Sequence, residues 1–384
     1  MAVVIGIVYD RDENWIAGSY YIENLIFAFA VIHPVKPVLK IYSSSKDHYE
    51  ALKSKTKYPA LTWVELKDQN TFFDRIINKI SYTLFKKHWI VRGIDTKVDI
   101  LFPGSDSFFF DKIQSKLFWI PDFQERHYPD YFGKKERLKR KLFQDKLVKH
   151  KWPVIFSSYN AYSDFYQLYP KAHNQIFVIP FAVTLSYPQG INMDLLKVKF
   201  GIQRMYFICS NQFWKHKNHL VVLKAIRVLK KKGNDPFVVF TGMPNDPRNP
   251  DYYKSLQEFV KMNNLEAHTK FLGFIDRQEQ LVLMKNCEAI IQPSLFEGWS
   301  TVVEDAKALK HPILVSDIQV HREQLGSDFD CYFHPDDFVR LSELMDDKAQ
   351  FKKQRYSNYE PNIARFANEM LDSINTILGA TNLK

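Results

Sequence analysis

Short apolar runs recur along the whole chain. They are VVIGIVYD (3–10), VLKIYS (38–43), VDILFPG (98–104), KLFWIPD (116–122), PVIFSS (153–158) and IFVIP (176–180), then MYFICSNQ (205–212), FVVFTG (237–242), KFLGFI (270–275), EAIIQPS (288–294) and HPILVSD (311–317). Most lack the polar alternation of a half-exposed strand, so they read as strands buried on both faces, as in a parallel sheet covered by helices. Helix-period segments lie between them, such as HLVVLKAIRVLKKK (219–232) and DRQEQLVLMKN (276–286). This alternation in both halves predicts an α/β protein of two doubly wound parallel-sheet domains. At 384 residues the chain suits two domains better than one. The seam is expected near 183–195, where TLSYPQGIN breaks the pattern. The expected organisation is a first domain over 1–190, a second over 191–360, and a segment 361–384 whose helix packs back on the first domain.

With 46% hydrophobic and 25% charged residues, the chain can fill sizeable cores. No apolar run approaches the ~20 residues that span a bilayer. The opening MAVVIGIVYDRDENW lacks a basic lead and soon meets acids, so it reads as a first buried strand rather than a signal peptide. Cys209, Cys287 and Cys331 are widely spaced and odd in number, which gives neither a disulfide framework nor a zinc pattern. A reducing, cytoplasmic setting is expected.

The formal charge of +10 is unevenly held. Residues 1–190 carry 27 Lys and Arg against 19 Asp and Glu, and the remainder 26 against 24, so an anionic partner is expected on the first half. KKERLKRKLFQDKLVKHK (134–151) has nine basic residues against two acids, and IINKISYTLFKKHWIVR (76–92) interleaves basic and aromatic residues. Both suit an anionic membrane surface or a lipid-diphosphate acceptor, with plain solvated helix faces as the alternative. No nucleic-acid motif accompanies the charge, and no nucleic-acid partner is expected.

Open parallel sheets bind ligands beyond the C-terminal ends of their strands, and two such domains put the natural site in the cleft between them. FEGWSTVVEDAKALKHPILVSD (296–317) stands at such a strand end. Thr301-x-x-Glu304 fits a capping box, with Lys307 and Lys310 toward the far end of the helix and Pro312 just past it. The amides around Gly298, Trp299, Ser300 and Thr301 would then form a phosphate cradle. Glu297, Glu304 and Asp305 are better suited to hydroxyls of a sugar or ribose. A nucleotide sugar combines those groups.

QPSLFEGWSTVVEDAKALKHPILVSDIQVHREQ (292–324) resembles the donor site of retaining glycosyltransferase family 4, whose fold is GT-B: two Rossmann-like domains facing a central cleft. That family has two glutamates with seven residues between them. From Glu297 the spacing lands on Asp305, with Glu304 one residue early as the alternative. SNQFWKHKNHLVVLKAI (210–226) is similar to the family's phosphate loop, with Lys217 in the lysine position, Gln212 where an arginine is usual, and Lys215 as a substitute charge. By the same resemblance Gly273 and Phe274 would meet the nucleobase, while Gly18 and Ser19 of WIAGSYYIENLIFAFA (15–30) would lie near the diphosphate. In WIPDFQERHYPDYF (119–132), Asp122 and Pro129 keep the family's spacing, but Pro121 stands in place of its histidine; His127 is the acceptor-side candidate.

The resemblance implies transfer of a sugar from a nucleoside-diphosphate sugar to a glycan or polyprenyl-diphosphate-linked acceptor, with retention of configuration. It implies no essential metal and no cofactor, and the sequence offers no cluster with metal-ligand spacing. Asp122, Glu297 and Lys217 are the expected catalytic residues, in an enzyme of surface-polysaccharide synthesis at the inner face of the membrane. Pro121 and Gln212 raise the alternative of a catalytically silent relative that binds nucleotide or carbohydrate. A nucleotide-sugar epimerase would need more catalytic groups than HREQ (321–324) supplies.

Overall fold

The computed structural model describes all residues except 1, 12–15, 32–35, 86–88, 91, 93, 186–189 and 383–384. Part of the expected seam and part of the basic–aromatic stretch thus lie outside the described residues.

The first half builds strands β1 (Val4–Val8), β2 (Val38–Ser43), β3 (Leu61–Glu65), β4 (Ile100–Phe102), β5 (Phe118–Ile120), β6 (Val154–Phe156) and β7 (Ile176–Val178). They pair in parallel as β3-β2-β1-β4 and β5-β6-β7. A parallel bridge between Leu101 and Lys116 and a bond from Leu117 N to Leu101 O join the two sheets. The second half builds β8 (Phe207–Ser210), β9 (Val238–Thr241), β10 (Thr269–Phe271), β11 (Ile290–Gln292), β12 (Ile313–Ser316) and β13 (Tyr332–Phe333), ordered β10-β9-β8-β11-β12-β13 and parallel throughout. In each half the strand order reverses once, between β1 and β4 and between β8 and β11. Such a switch point opens a crevice above the strand ends.

The buried residues explain why the strands read as unbroken apolar runs. Phe207, Cys209, Val238, Phe240 and Ile291 belong to one core of the second half, and Ile208, Val239, Ile290, Ile313 and Val315 to another. Successive strand residues point to opposite faces, so the sheet is packed on both sides. All three cysteines are buried and free. The helix Glu360–Asn382 packs on the helix Ile16–Val31, and its Phe366, Met370 and Ile374 share a core with Ile5, Tyr21 and Phe29.

Candidate active site

Two loops bring the polar groups together, one after β8 and one after β11. Asn218 stands in the left-handed region at φ 55°, and its Nδ2 donates to the Pro293 and Pro335 carbonyls at 3.1 and 2.8 Å. That ties the β8 loop to the β11 loop. Beneath them Gln292 accepts from Asn211 Nδ2 at 2.7 Å and donates to Glu297 Oε1 at 2.8 Å. Glu297 also accepts from Ser294 Oγ at 2.6 Å and from Lys217 Nζ at 2.7 and 2.8 Å. A buried carboxylate with three donors, one of them cationic, is fixed in place rather than left to search for partners.

The helix Thr301–Leu309 starts one residue earlier in its cap than the sequence suggests. Ser300 is the N-cap, with its Oγ accepting from Val303 N, and Thr301 is the first helical residue. Glu304 is therefore one position too late to close a capping box. Its carboxylate instead accepts from Lys307 Nζ (3.0 Å), Gln324 Nε2 (2.8 Å) and Tyr359 OH (2.5 Å), away from the cleft. The Ser300 amide of the expected phosphate cradle donates to Gln324 Oε1 at 3.1 Å. Gly298, Trp299, Ser300 and Thr301 all line the cleft.

Asp305, one residue on and about 100° around the helix, does face the cleft. It is fully buried; Oδ1 accepts from Arg277 Nη2 at 2.5 Å, and Oδ2 has no hydrogen-bond partner. Burial pushes its carboxyl up from the ordinary carboxylate value, against the pull of the guanidinium. Arg277 also lies over the Tyr20 ring at 5.3 Å, so a residue of the second half meets the first across the cleft. Sequence reasoning missed Arg277. Its signal was positional: an arginine in the first turn of the helix Arg277–Lys285 opposes the helix dipole and so calls for a reason outside the helix.

The first half supplies the facing wall. Ile16, Ala17, Tyr20 and Tyr21 line the cleft, whereas Gly18 and Ser19 are buried and do not. Helical geometry puts 16 and 20, and 17 and 21, on one face and turns 18 and 19 away from it. Asp122 lines the cleft, with Oδ1 accepting from Gln124 N at 3.0 Å, and burial raises its carboxyl above the ordinary value. His127 does not line it: Nε2 sits 2.7 Å from Asp164 Oδ2, and the ring lies against Phe296. Gln212 and Lys217 line the cleft, but Lys215 reaches out over the Tyr131 ring at 5.1 Å. Arg277, paired with Asp305, lines the cleft, whereas Lys215 does not. Phe274 lines the cleft and is 42% exposed, so it is not a packed core residue. Gly273 stands behind it at φ 69°, its carbonyl accepting from Gly242 N at 2.8 Å.

The two walls touch at Gly298. A Cβ there would come within 2.5 Å of the Pro121 carbonyl oxygen and 3.0 Å of Asp122 Cβ, so only glycine permits this approach. Trp299 Nε1 donates across the junction to Phe181 O at 3.1 Å, and Tyr128 OH to Leu295 O at 3.2 Å. Among the described residues, no group of three or more His, Cys, Asp or Glu is placed to hold a metal ion.

Residues 195–358 match the model of the family described as glycosyl transferases group 1. The chain is 26% identical over 257 residues to the O-antigen chain mannosyltransferase RfbU of Salmonella typhimurium, a match spanning 66% of this chain and 66% of that protein, just under two thirds of its length. Among solved structures it is similar to a glycosyltransferase from Rickettsia africae, with a TM-score of 0.62 and 15% identity over 100% of this chain and 97% of the other. Anabaena Alr3699/HepE in complex with UDP and glucose matches with a TM-score of 0.63 and 14% identity over 99 and 98%. The shared architecture of two parallel-sheet α/β domains is the GT-B fold.

Proposed function

We propose that the protein is a retaining glycosyltransferase that moves a sugar from a nucleoside-diphosphate sugar to a hydroxyl of a glycan or polyprenyl-diphosphate-linked acceptor in surface-polysaccharide synthesis. The observation that carries the reading is one interdomain cleft holding an ammonium locked on a buried carboxylate, Lys217 on Glu297, and a second buried carboxylate, Asp305, with one oxygen unpartnered. The naming of the Salmonella relative as an O-antigen chain mannosyltransferase supports the polysaccharide role, and the UDP and glucose held by the Anabaena protein support the donor class.

In this reading Lys217 and the start of the helix at Thr301 face the diphosphate, where negative charge grows as the sugar departs. Glu297 holds hydroxyls of the donor sugar, and Asp305 Oδ2 accepts from a ribose hydroxyl. The bond from the anomeric carbon to the β-phosphate oxygen breaks while a bond to the acceptor oxygen forms on the same face. The departing phosphate takes the acceptor's proton, so no side chain acts as a covalent nucleophile. Asp122 faces the sugar from the first domain as an acceptor for its hydroxyls. The contact of Gly298 with Pro121 closes the cleft against water, whose attack is the competing reaction.

The test is thermal stabilisation by UDP, GDP, ADP, dTDP and CMP. At about a hundred times its dissociation constant, a bound nucleotide adds ~2.7 kcal/mol. One nucleotide is expected to raise the melting temperature of the wild type and to fail on Asp305→Ala. Glu304→Ala is expected to melt earlier, having lost the buried acceptor of Tyr359 and Gln324, yet to keep the nucleotide's increment. No shift with any nucleotide, or an undiminished shift in Asp305→Ala, sinks the reading.

Gly298→Ala supplies a separate check. The clash with Pro121 is expected to hold the two walls apart and lower the transfer rate about 10²-fold, the scale of a 1 Å misplacement, with little change in melting temperature. A wild-type rate would mean that closure at Gly298 is not needed.

A further inference from the structure

The helix Phe72–Phe85 is amphipathic in the opposite sense to a packed helix. Its inward positions are polar: Asp74, Asn78 and Ser81 are buried. Its outward positions are apolar: Phe72 and Phe73 are each 74% exposed, and Ile76, Ile77, Ile80 and Phe85 are exposed as well. The orientation is fixed by hydrogen bonds. Asp74 accepts from Arg92 Nε and Nη2 at 2.6 and 3.0 Å and from Thr71 N and Oγ1 at 2.9 and 2.8 Å. Asn78 Oδ1 accepts from Trp89 N and Ile90 N, both at 2.9 Å, and its Nδ2 donates to Ile90 O at 2.6 Å. Rolling the helix to hide the apolar side would break these bonds and leave buried polar groups unpaired. A contiguous apolar face of this kind marks an interaction surface on a folded protein.

We infer that the outward face of the helix Phe72–Phe85 docks the protein on an anionic lipid bilayer, with the helix lying flat in the headgroup layer. Charge selects this occupant. Arg75 and Lys79 are exposed on the same helix, Arg75 also reaching Asp68 at 3.3 Å, and Asp74, the acid of this helix, is turned inward onto Arg92. Two copies joined through this face would bring like charges together, whereas anionic headgroups neutralise them around an apolar wedge. Trp89 is exposed and stacked on Phe85 at 5.3 Å, a pair suited to the boundary of water and acyl chains. The helix lies on the membrane rather than through it, since no described helix is long and apolar enough to cross one. The inference deepens the reading of a lipid-linked acceptor and rests on that reading for its purpose.

The test is sedimentation of the full chain with vesicles of phosphatidylcholine, alone and mixed with phosphatidylglycerol. The wild type is expected to bind the mixed vesicles at least about tenfold more tightly than the neutral ones, and less so at high salt. The variant Phe72→Ser, Phe73→Ser, Ile76→Ser, Ile80→Ser and the variant Arg75→Glu, Lys79→Glu are each expected to lose at least about tenfold in binding. Because these positions are exposed, both variants should keep the wild-type melting temperature. Absence of vesicle binding overturns the inference, as does unchanged binding by the apolar variant. A dimer that this variant converts to a monomer, without vesicle binding, also overturns it and assigns the face to a second copy. Nucleotide stabilisation read on the same samples separates the two proposals: vesicle binding without it upholds the docking face and sinks the transferase reading, and stabilisation without vesicle binding does the reverse.

Discussion

Lys217→Ala is expected to lower the transfer rate by two to three orders of magnitude and to destabilise the fold by about 3 kcal/mol, for two separate reasons. In the proposed mechanism the rate falls because the ammonium would face the position where the departing diphosphate gathers charge. Removing one such preorganised donor costs about 10²–10³ in rate. The stability falls because Glu297 remains buried without its cation, and breaking a buried pair costs ~3–5 kcal/mol. The lower end is expected, since Gln292 and Ser294 still donate to the carboxylate. A second substitution separates the two effects. In Lys217→Met with Glu297→Gln, no buried charge is left alone, so stability should return most of the way while the rate does not. Urea unfolding and initial rates measure the two quantities. A Lys217→Ala enzyme with the wild-type rate would remove the lysine from the mechanism, and an equally stable one would mean that Glu297 is not held as a buried anion.

The sheets were legible because every central strand of the second half packs on both faces and so carries an unbroken apolar run, as in FICS and ILVS. Lys217, Glu297 and Asp305 were legible as a set through the spacing of the resembled motifs, and the fold brings them together because the loops after β8 and β11 and the first turns of the helix Thr301–Leu309 stand at adjacent strand ends. What was not legible depends on rotation about a helix axis or on distant partners. Glu304 and Asp305 differ by one residue, yet one meets Tyr359 and the other the cleft. Tyr359 and Gln324 lie 55 and 20 residues from Glu304, so the bonds that claim it leave no local pattern. Ser300 took the cap from Thr301; Ser is the better N-cap of the two, but both are cap formers and spacing alone could not separate neighbours. His127 drew attention as a loop histidine, but Asp164, its partner, comes from a helix 37 residues on. The stretch at 76–92 was read as basic and aromatic. That its helix turns Asp74 and Asn78 inward required knowing which side the fold covers.

Between pH 6.5 and 4 the fold is expected to lose stability, with three buried histidines contributing up to roughly 4 kcal/mol per pH unit. Burial lowers His321 to about 4 and His219 to about 3, and it pushes His216 well below the ordinary value. His321 Nδ1 is bonded to Ser316 O at 2.8 Å, and its Nε2 has no partner; His219 is stacked on Phe213 at 4.5 Å. Neither setting compensates a second proton. Each ring therefore stays neutral in the native state, while the same residue in the unfolded chain takes up a proton below about 6.5. The stability is present in full above that value and is lost as pH falls toward the native-state values, at about 1.4 kcal/mol per pH unit for each ring. Asp122, Asp305 and Glu323 act in the opposite sense. Burial raises all three, so the native state holds their protons more readily than the unfolded chain does, and this favours the fold as pH falls. Their compensation begins where these carboxyls take up protons in the native state. Urea midpoints at pH 7.5 and 5.0 measure the difference. His321→Gln should flatten the slope by about one proton's worth, and equal midpoints for the wild type at the two pH values would show that these rings are not buried neutral.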